Sequence, residues 1–127
     1  MRMRVLSAWL ALMVTVGVAS PLSLDAAVAG SDQRSEAQAQ VEFGIKVAQR
    51  KLWREATYRF EKAVELDPTY AAAWNNLAIA YEEQGNFTEA NKAYGKAVEL
   101  DPDNVLIRQN YDLFKEIYDR LSRRNSR

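Results

Sequence analysis

The sequence predicts an all-α chain assembled from a repeated pair of helices. Three observations carry this. Apolar residues recur three and four positions apart through most of the chain, which is the spacing of one helical face. The block Lys62-Ala-Val-Glu-Leu-Asp-Pro68 returns unchanged at Lys96–Pro102, and Glu55-Ala56 returns as Glu89-Ala90, so that 62 maps to 96 and 55 to 89 by one constant shift. Break signals recur at the same shift: each seven-residue block ends in Asp-Pro, and proline disfavours helical geometry in the residue before it. A period of this length is the mark of a stacked repeat.

The segment Met1–Ala29 reads as an address. Arg2 and Arg4 precede an uncharged, mostly apolar run from Val5 to Ala19, Pro21 follows, and Ala27-Val28-Ala29 offers small residues at the sites a signal peptidase reads. The run is shorter than the ~20 residues a membrane helix needs. Cleavage after Ala29 is the expectation, giving an exported protein, periplasmic or secreted. The alternative is an uncleaved membrane anchor over residues 5–24, its cytoplasmic end held by Arg2 and Arg4. There is no cysteine, so a lipid-anchored form is excluded. Residues 30–36 read as a flexible lead-in.

Residues 37–70 and 71–104 form two units. In the second, Trp74, Leu77, Ala78 and Tyr81 make one helical face. Gly85-Asn86 interrupts it, because glycine tolerates positive φ and asparagine can cap the next helix. Phe87, Ala90, Tyr94, Ala97 and Val98 then make a second face, ending at Asp101-Pro102. The first unit repeats this with Phe43, Gly44 and Val47, then Trp53, Ala56, Phe60 and Ala63. Small residues alternate with large ones across the two helices, which lets them pack closely antiparallel.

Trp74-x-x-Leu-Ala-x-x-Tyr81, Gly85, Ala90, Tyr94, Ala97 and Pro102 resemble the tetratricopeptide repeat. The first unit departs from that pattern: Gln40 stands where an aromatic is common, Val47 replaces the tyrosine and Lys51 the turn glycine. The resemblance implies an α-solenoid of two antiparallel helix-turn-helix units closed by a C-terminal capping helix, residues 105–127. In that last segment Leu106, Ile107, Tyr111, Leu113, Phe114, Ile117, Tyr118 and Leu121 span roughly 160° of helix surface, against about 100° for a one-sided helix. A cap should present a polar outer face, so apolar surface is left over. Leu106, Leu113, Ile117 and Tyr118 are candidates for a homodimer face.

Composition narrows the function. Formal charge is zero, so nothing points to nucleic acid. With neither cysteine nor histidine, thiol nucleophiles, histidine bases and the usual zinc sites are excluded. No glycine-rich phosphate loop is present, and Glu42, Glu82, Glu83 and Asp112 show no partner that would make them acid–base pairs. No catalytic, cofactor or metal site is expected; the chain reads as no enzyme. Gly95 stands inside a helix at a cost of roughly 1 kcal/mol relative to alanine, which would be repaid if another helix came close. Asn86-Phe87-Thr88 fits a glycosylation acceptor, though capping explains the asparagine.

By the resemblance, the first helix of each unit lines a concave groove. Val41, Ile45 and Gln49 are its candidates from the first unit, with Gln38 and Ala48. Asn75, Ile79, Glu82 and Glu83 are those from the second, with Ala72. An apolar middle and a carboxylate end suit a peptide or helical segment of a partner protein bearing an apolar anchor and a nearby Lys or Arg. Some relatives clamp a C-terminal carboxylate with basic side chains, at positions that here are Val41, Ile45, Asn76, Leu106 and Asn110. None is basic, so an acidic chaperone-type tail is not the expected ligand. The four arginines Arg120, Arg123, Arg124 and Arg127 complement the negative end of the last helix dipole.

Overall fold

The computed structural model describes residues 21–126, with side chains from Val28 onward. Arg2, Arg4, the apolar run Val5–Ala19 and Arg127 lie outside the described residues. Five helices follow in order: α1 (Pro21–Gln49), α2 (Trp53–Leu66), α3 (Ala71–Glu83), α4 (Phe87–Leu100) and α5 (Val105–Asn125). α1 with α2 and α3 with α4 form two helical hairpins, and α5 closes the stack against α4.

The turn inside each hairpin has the same construction despite different residues. Gly85 has φ +75° and Lys51, its counterpart one repeat earlier, has φ +60°. In both turns the next residue donates backward over the helix end, Leu52 N to Val47 O at 3.1 Å and Asn86 N to Tyr81 O at 2.9 Å. This is the left-handed helix stop that glycine favours. Lysine holds it against its Cβ penalty of roughly 1–2 kcal/mol. Lys51→Gly is therefore expected to stabilise the fold by about 1 kcal/mol, read as a higher urea midpoint at unchanged slope. The same construction answers the expectation that Asn86 caps α4. Its side chain makes no capping hydrogen bond, because its backbone already completes the stop of α3. Asn104 does cap α5, its side chain accepting from Ile107 N at 3.2 Å.

The core is alanine-rich at crossings and aromatic at the end. Ala56, Ala63, Ala73, Ala78, Ala80, Ala90 and Ala97 are all fully buried, which lets the helix axes approach. Phe60 and Tyr94, one repeat apart, are 2% exposed. Phe114 of α5 packs its ring 5.1 Å from Tyr94 and 5.5 Å from Tyr118, centroid to centroid. Gly44 is the glycine that packing requires, since a Cβ there would fall 2.5 Å from the Phe60 ring. Gly95 is not. A Cβ there would meet only the Tyr111 hydroxyl, at 3.8 Å, so no close helix approach explains it. Gly95→Ala should stabilise by about 0.5–1 kcal/mol, checked by thermal melting.

The expected lead-in is different in the structure: residues 30–36 continue α1 without a break. Arg34 explains why. Its guanidinium pairs with the Asp67 carboxylate, donates to Thr69 Oγ1 at 3.1 Å and lies 4.7 Å over the Tyr70 ring, so α1 is tied to the α2–α3 loop. Burial pushes the Asp67 carboxyl up, but hydrogen bonds from Thr69 and Arg34 outweigh it and hold the pKa below the usual carboxylate value. The cleavage position expected after Ala29 falls within α1. Among the described residues, no helix is long and apolar enough to cross a membrane.

The curvature follows from which helices touch. The backbone of α1 comes close to α3 and that of α3 to α5, whereas α2 and α4 make no such approach to each other. The first helix of each hairpin therefore lies on the inside of the bend, and the second on the outside.

Candidate binding surface

The inner face is built by α1, α3 and α5, and its best-formed part lies between the first two. There an open depression of about 250 Å³ is walled by Ile45, Ala48 and Gln49 of α1 and by Asn76 and Ile79 of α3. Trp53 and Phe60 of α2 form its floor. Helical spacing produces this grouping: Ala48 and Gln49 lie three and four residues after Ile45, and Ile79 lies three after Asn76. Ile45 keeps 39% of its surface exposed and Ile79 is half-buried.

The structure brings Ile45, Gln49 and Ile79 together and leaves other candidates elsewhere. Val41 is 5% exposed and belongs to the core, a correction to its place among surface residues of the groove. Its one-face register is right, but α1 leans on its neighbours there and covers it. Asn75 is 7% exposed, and its side-chain oxygen accepts from Asn110 Nδ2 of α5 at 3.2 Å. It is a strut between α3 and α5 rather than an open ligand contact. Glu82 accepts from the Tyr94 hydroxyl at 2.8 Å, so its carboxylate is oriented by the core. Glu83, Gln38 and Ala72 are exposed. Among the candidate dimer residues, Leu106 (63%), Leu113 (64%) and Ile117 (45%) are exposed. Tyr118 differs from them: it is half-buried, its ring packed on Phe114 at the edge of the core.

Asn76 lies at a position the sequence had marked for a ligand clamp, whereas sequence reasoning missed Trp53 and Phe60 as parts of the depression. Gly44 was the available signal, since a residue without a side chain on α1 lets a facing aromatic ring reach through to the inner side.

The electrostatics of this region are structural. Burial first, then hydrogen bonds to Glu61 and Glu82, push the hydroxyls of Tyr81 and Tyr94 well above the ordinary phenol value. Both stay protonated donors. No group of three or more acidic residues among the described residues is arranged to hold a metal ion.

A tetratricopeptide-repeat family model matches residues 71–104, and a second repeat model of the same family matches residues 48–85. This chain carries tetratricopeptide repeats. It is 32% identical over 85 residues to the tetratricopeptide repeat domain-containing protein PYG7, chloroplastic, of Arabidopsis thaliana. That match covers 67% of this chain but only 28% of the relative, so the chain spans little more than a quarter of that protein. Among solved structures, the Arabidopsis OM64 TPR domain superposes with a TM-score of 0.64 at 24% identity, covering 69% of this chain and 73% of that one. This second likeness is one of fold. Tetratricopeptide repeats form a protein–protein interaction module, and the all-helical solenoid here is of that kind.

Proposed function

We propose that this chain is an exported, non-enzymatic adaptor that docks a segment of a partner protein on its concave face as part of an envelope assembly. The observation that carries the reading is the open depression in which Ile45 and Ile79, at the same repeat position, stand beside Gln49 and Asn76. Branched apolar side chains left in water on the inside of a curved stack, with amides beside them, suit an inserted apolar anchor and its backbone. The shifted tyrosines argue in the same direction: they are held as inert donors, far from the poise a general acid or base needs. Export rests on the order of charged, apolar and small residues from Met1 to Ala29.

The test is affinity capture of the full-length protein after crosslinking in cells, beside the variant Ile45→Asp/Ile79→Asp. Neither side chain is in the fully buried core, so helicity should survive, as circular dichroism would verify. A partner enriched with the wild type and lost with the variant is the expected result. Equal recovery with both would remove the docking site from this face.

A second reading is self-association through α5, favoured by the exposure of Leu106 and Leu113. A strict monomer in light scattering across micromolar concentrations would end it.

A further inference from the structure

We infer that the exposed apolar residues of α5 are the third wall of the concave face, and that the completed face takes an amphipathic helix whose apolar stripe is bordered by Lys or Arg. This rests on the docking reading above and specifies its site and ligand.

The repeat offset makes the assignment. Ile45, Ile79 and Leu113 stand one repeat apart in succession, so they hold one register on α1, α3 and α5. Leu106 stands at the position of Ala72, and Ile117 at that of Glu83. The hydrogen bond from Asn110 to Asn75 holds α5 beside α3 on this side. Leu113 and Leu106 keep more than three-fifths of their surface exposed.

The other candidate face of α5 is charged rather than apolar. Trp74 and Tyr81 of α3 face Glu89, Lys92 and Lys96 of α4 across one depression. Their equivalents on α5 are Arg108 and Lys115, both exposed, with Lys115 3.3 Å from Asp112. Val105 apart, the end of the stack is charged, as a cap should be. The surplus apolar surface is therefore on the inside of the bend. A second copy covers it poorly, because two concave faces touch only at their rims and would oppose carboxylate to carboxylate.

Charge names the partner's chemistry. The inward register positions carry Glu42, Glu82, Glu83 and Glu116 and no Lys or Arg. Glu82 is turned to the Tyr94 hydroxyl, so the exposed carboxylates on this side are those of Glu42, Glu83 and Glu116. Glu116 has Arg120 at 3.7 Å in a highly exposed pair, which neutralises it only weakly. Packed helices lie about 8–10 Å apart, so anchors meeting successive walls are separated by about five to seven residues of a partner helix.

The probe is a synthetic helix of roughly 18 residues, about five turns, with a leucine stripe flanked by lysines. A matched peptide carries glutamates instead. Both are titrated against the full-length protein by fluorescence anisotropy. The lysine peptide should bind at least about tenfold more tightly, an advantage that shrinks as salt shortens the Debye length. Ile79→Gln and Leu113→Gln should each weaken binding about tenfold, the scale of one buried leucine. Arg108→Gln, on the charged outer face, should leave it unchanged. If only Ile79→Gln weakens binding, α5 is no part of the face, though docking between α1 and α3 stands. If neither does, both readings fall. Equal binding of the two peptides overturns the charge selection. Loss of a dimer on Leu113→Gln, seen by light scattering, would give the face to a second copy.

Discussion

Replacing Phe114 with alanine is expected to cost about 3–5 kcal/mol, the range for emptying a buried aromatic site. Phe114 is 1% exposed and joins three rings, with centroids 5.1 Å away at Tyr94, 5.5 Å at Tyr118 and 6.4 Å at Phe87. These rings come from both α4 and α5, so the cavity cannot collapse by moving one side chain. A domain of this size has about 5–15 kcal/mol in total, and the loss should lower the melting temperature by tens of degrees. Leu113, its immediate neighbour, is the internal control. Being 64% exposed, its replacement by alanine should change stability by less than about 0.5 kcal/mol. A small effect of Phe114→Ala would mean that α5 is a loosely attached tail rather than the end of the core.

Gly44→Ala is expected to destabilise by about 1–3 kcal/mol, the scale of overpacking, although alanine by itself favours a helix over glycine by about 1 kcal/mol. The clash decides the sign. A Cβ at Gly44 lies within 2.5 Å of Phe60 Cε1 and 2.8 Å of Cδ1, and the ring is itself 2% exposed with nowhere to withdraw. Gly95→Ala, the same chemical change with only a hydroxyl 3.8 Å away, is expected to have the opposite sign. In a Phe60→Leu background the penalty at Gly44 should largely vanish, because the atoms that collide are gone. The double-mutant cycle in urea measures that coupling. An equal cost in both backgrounds would place the strain in the α1 backbone instead.

Much of the fold was legible because the chain repeats itself. The constant shift between the two units located both hairpins and their Asp-Pro stops, and it marked Lys51 as the residue standing where glycine belongs. The extent of α1 was not legible. Gly30, Ser31 and Asp32 are poor helix formers locally, and what orders the segment is Arg34 reaching Asp67, Thr69 and Tyr70 in the loop beyond α2. The binding face was legible as a set of positions but not as a surface. Helical register placed Val41 and Ile45 on one side, yet register cannot tell that the first is 5% and the second 39% exposed, since burial depends on the neighbouring helix. Asn75 likewise looked free until its partner Asn110 was placed. The surplus apolar arc of α5 was visible in sequence, while its direction needed the contact order of α1, α3 and α5.

The central claim is that partners are held on the inside of the bend. Photo-crosslinking in cells tests it most directly, with the reactive side chain placed at Ile79 on the inner face and, in a second strain, at Tyr58, which is 50% exposed on α2. Adducts with another protein from position 79 and none from position 58 are the predicted result. Adducts from position 58 alone, or equally from both, would contradict it and move the working surface to the outer helices.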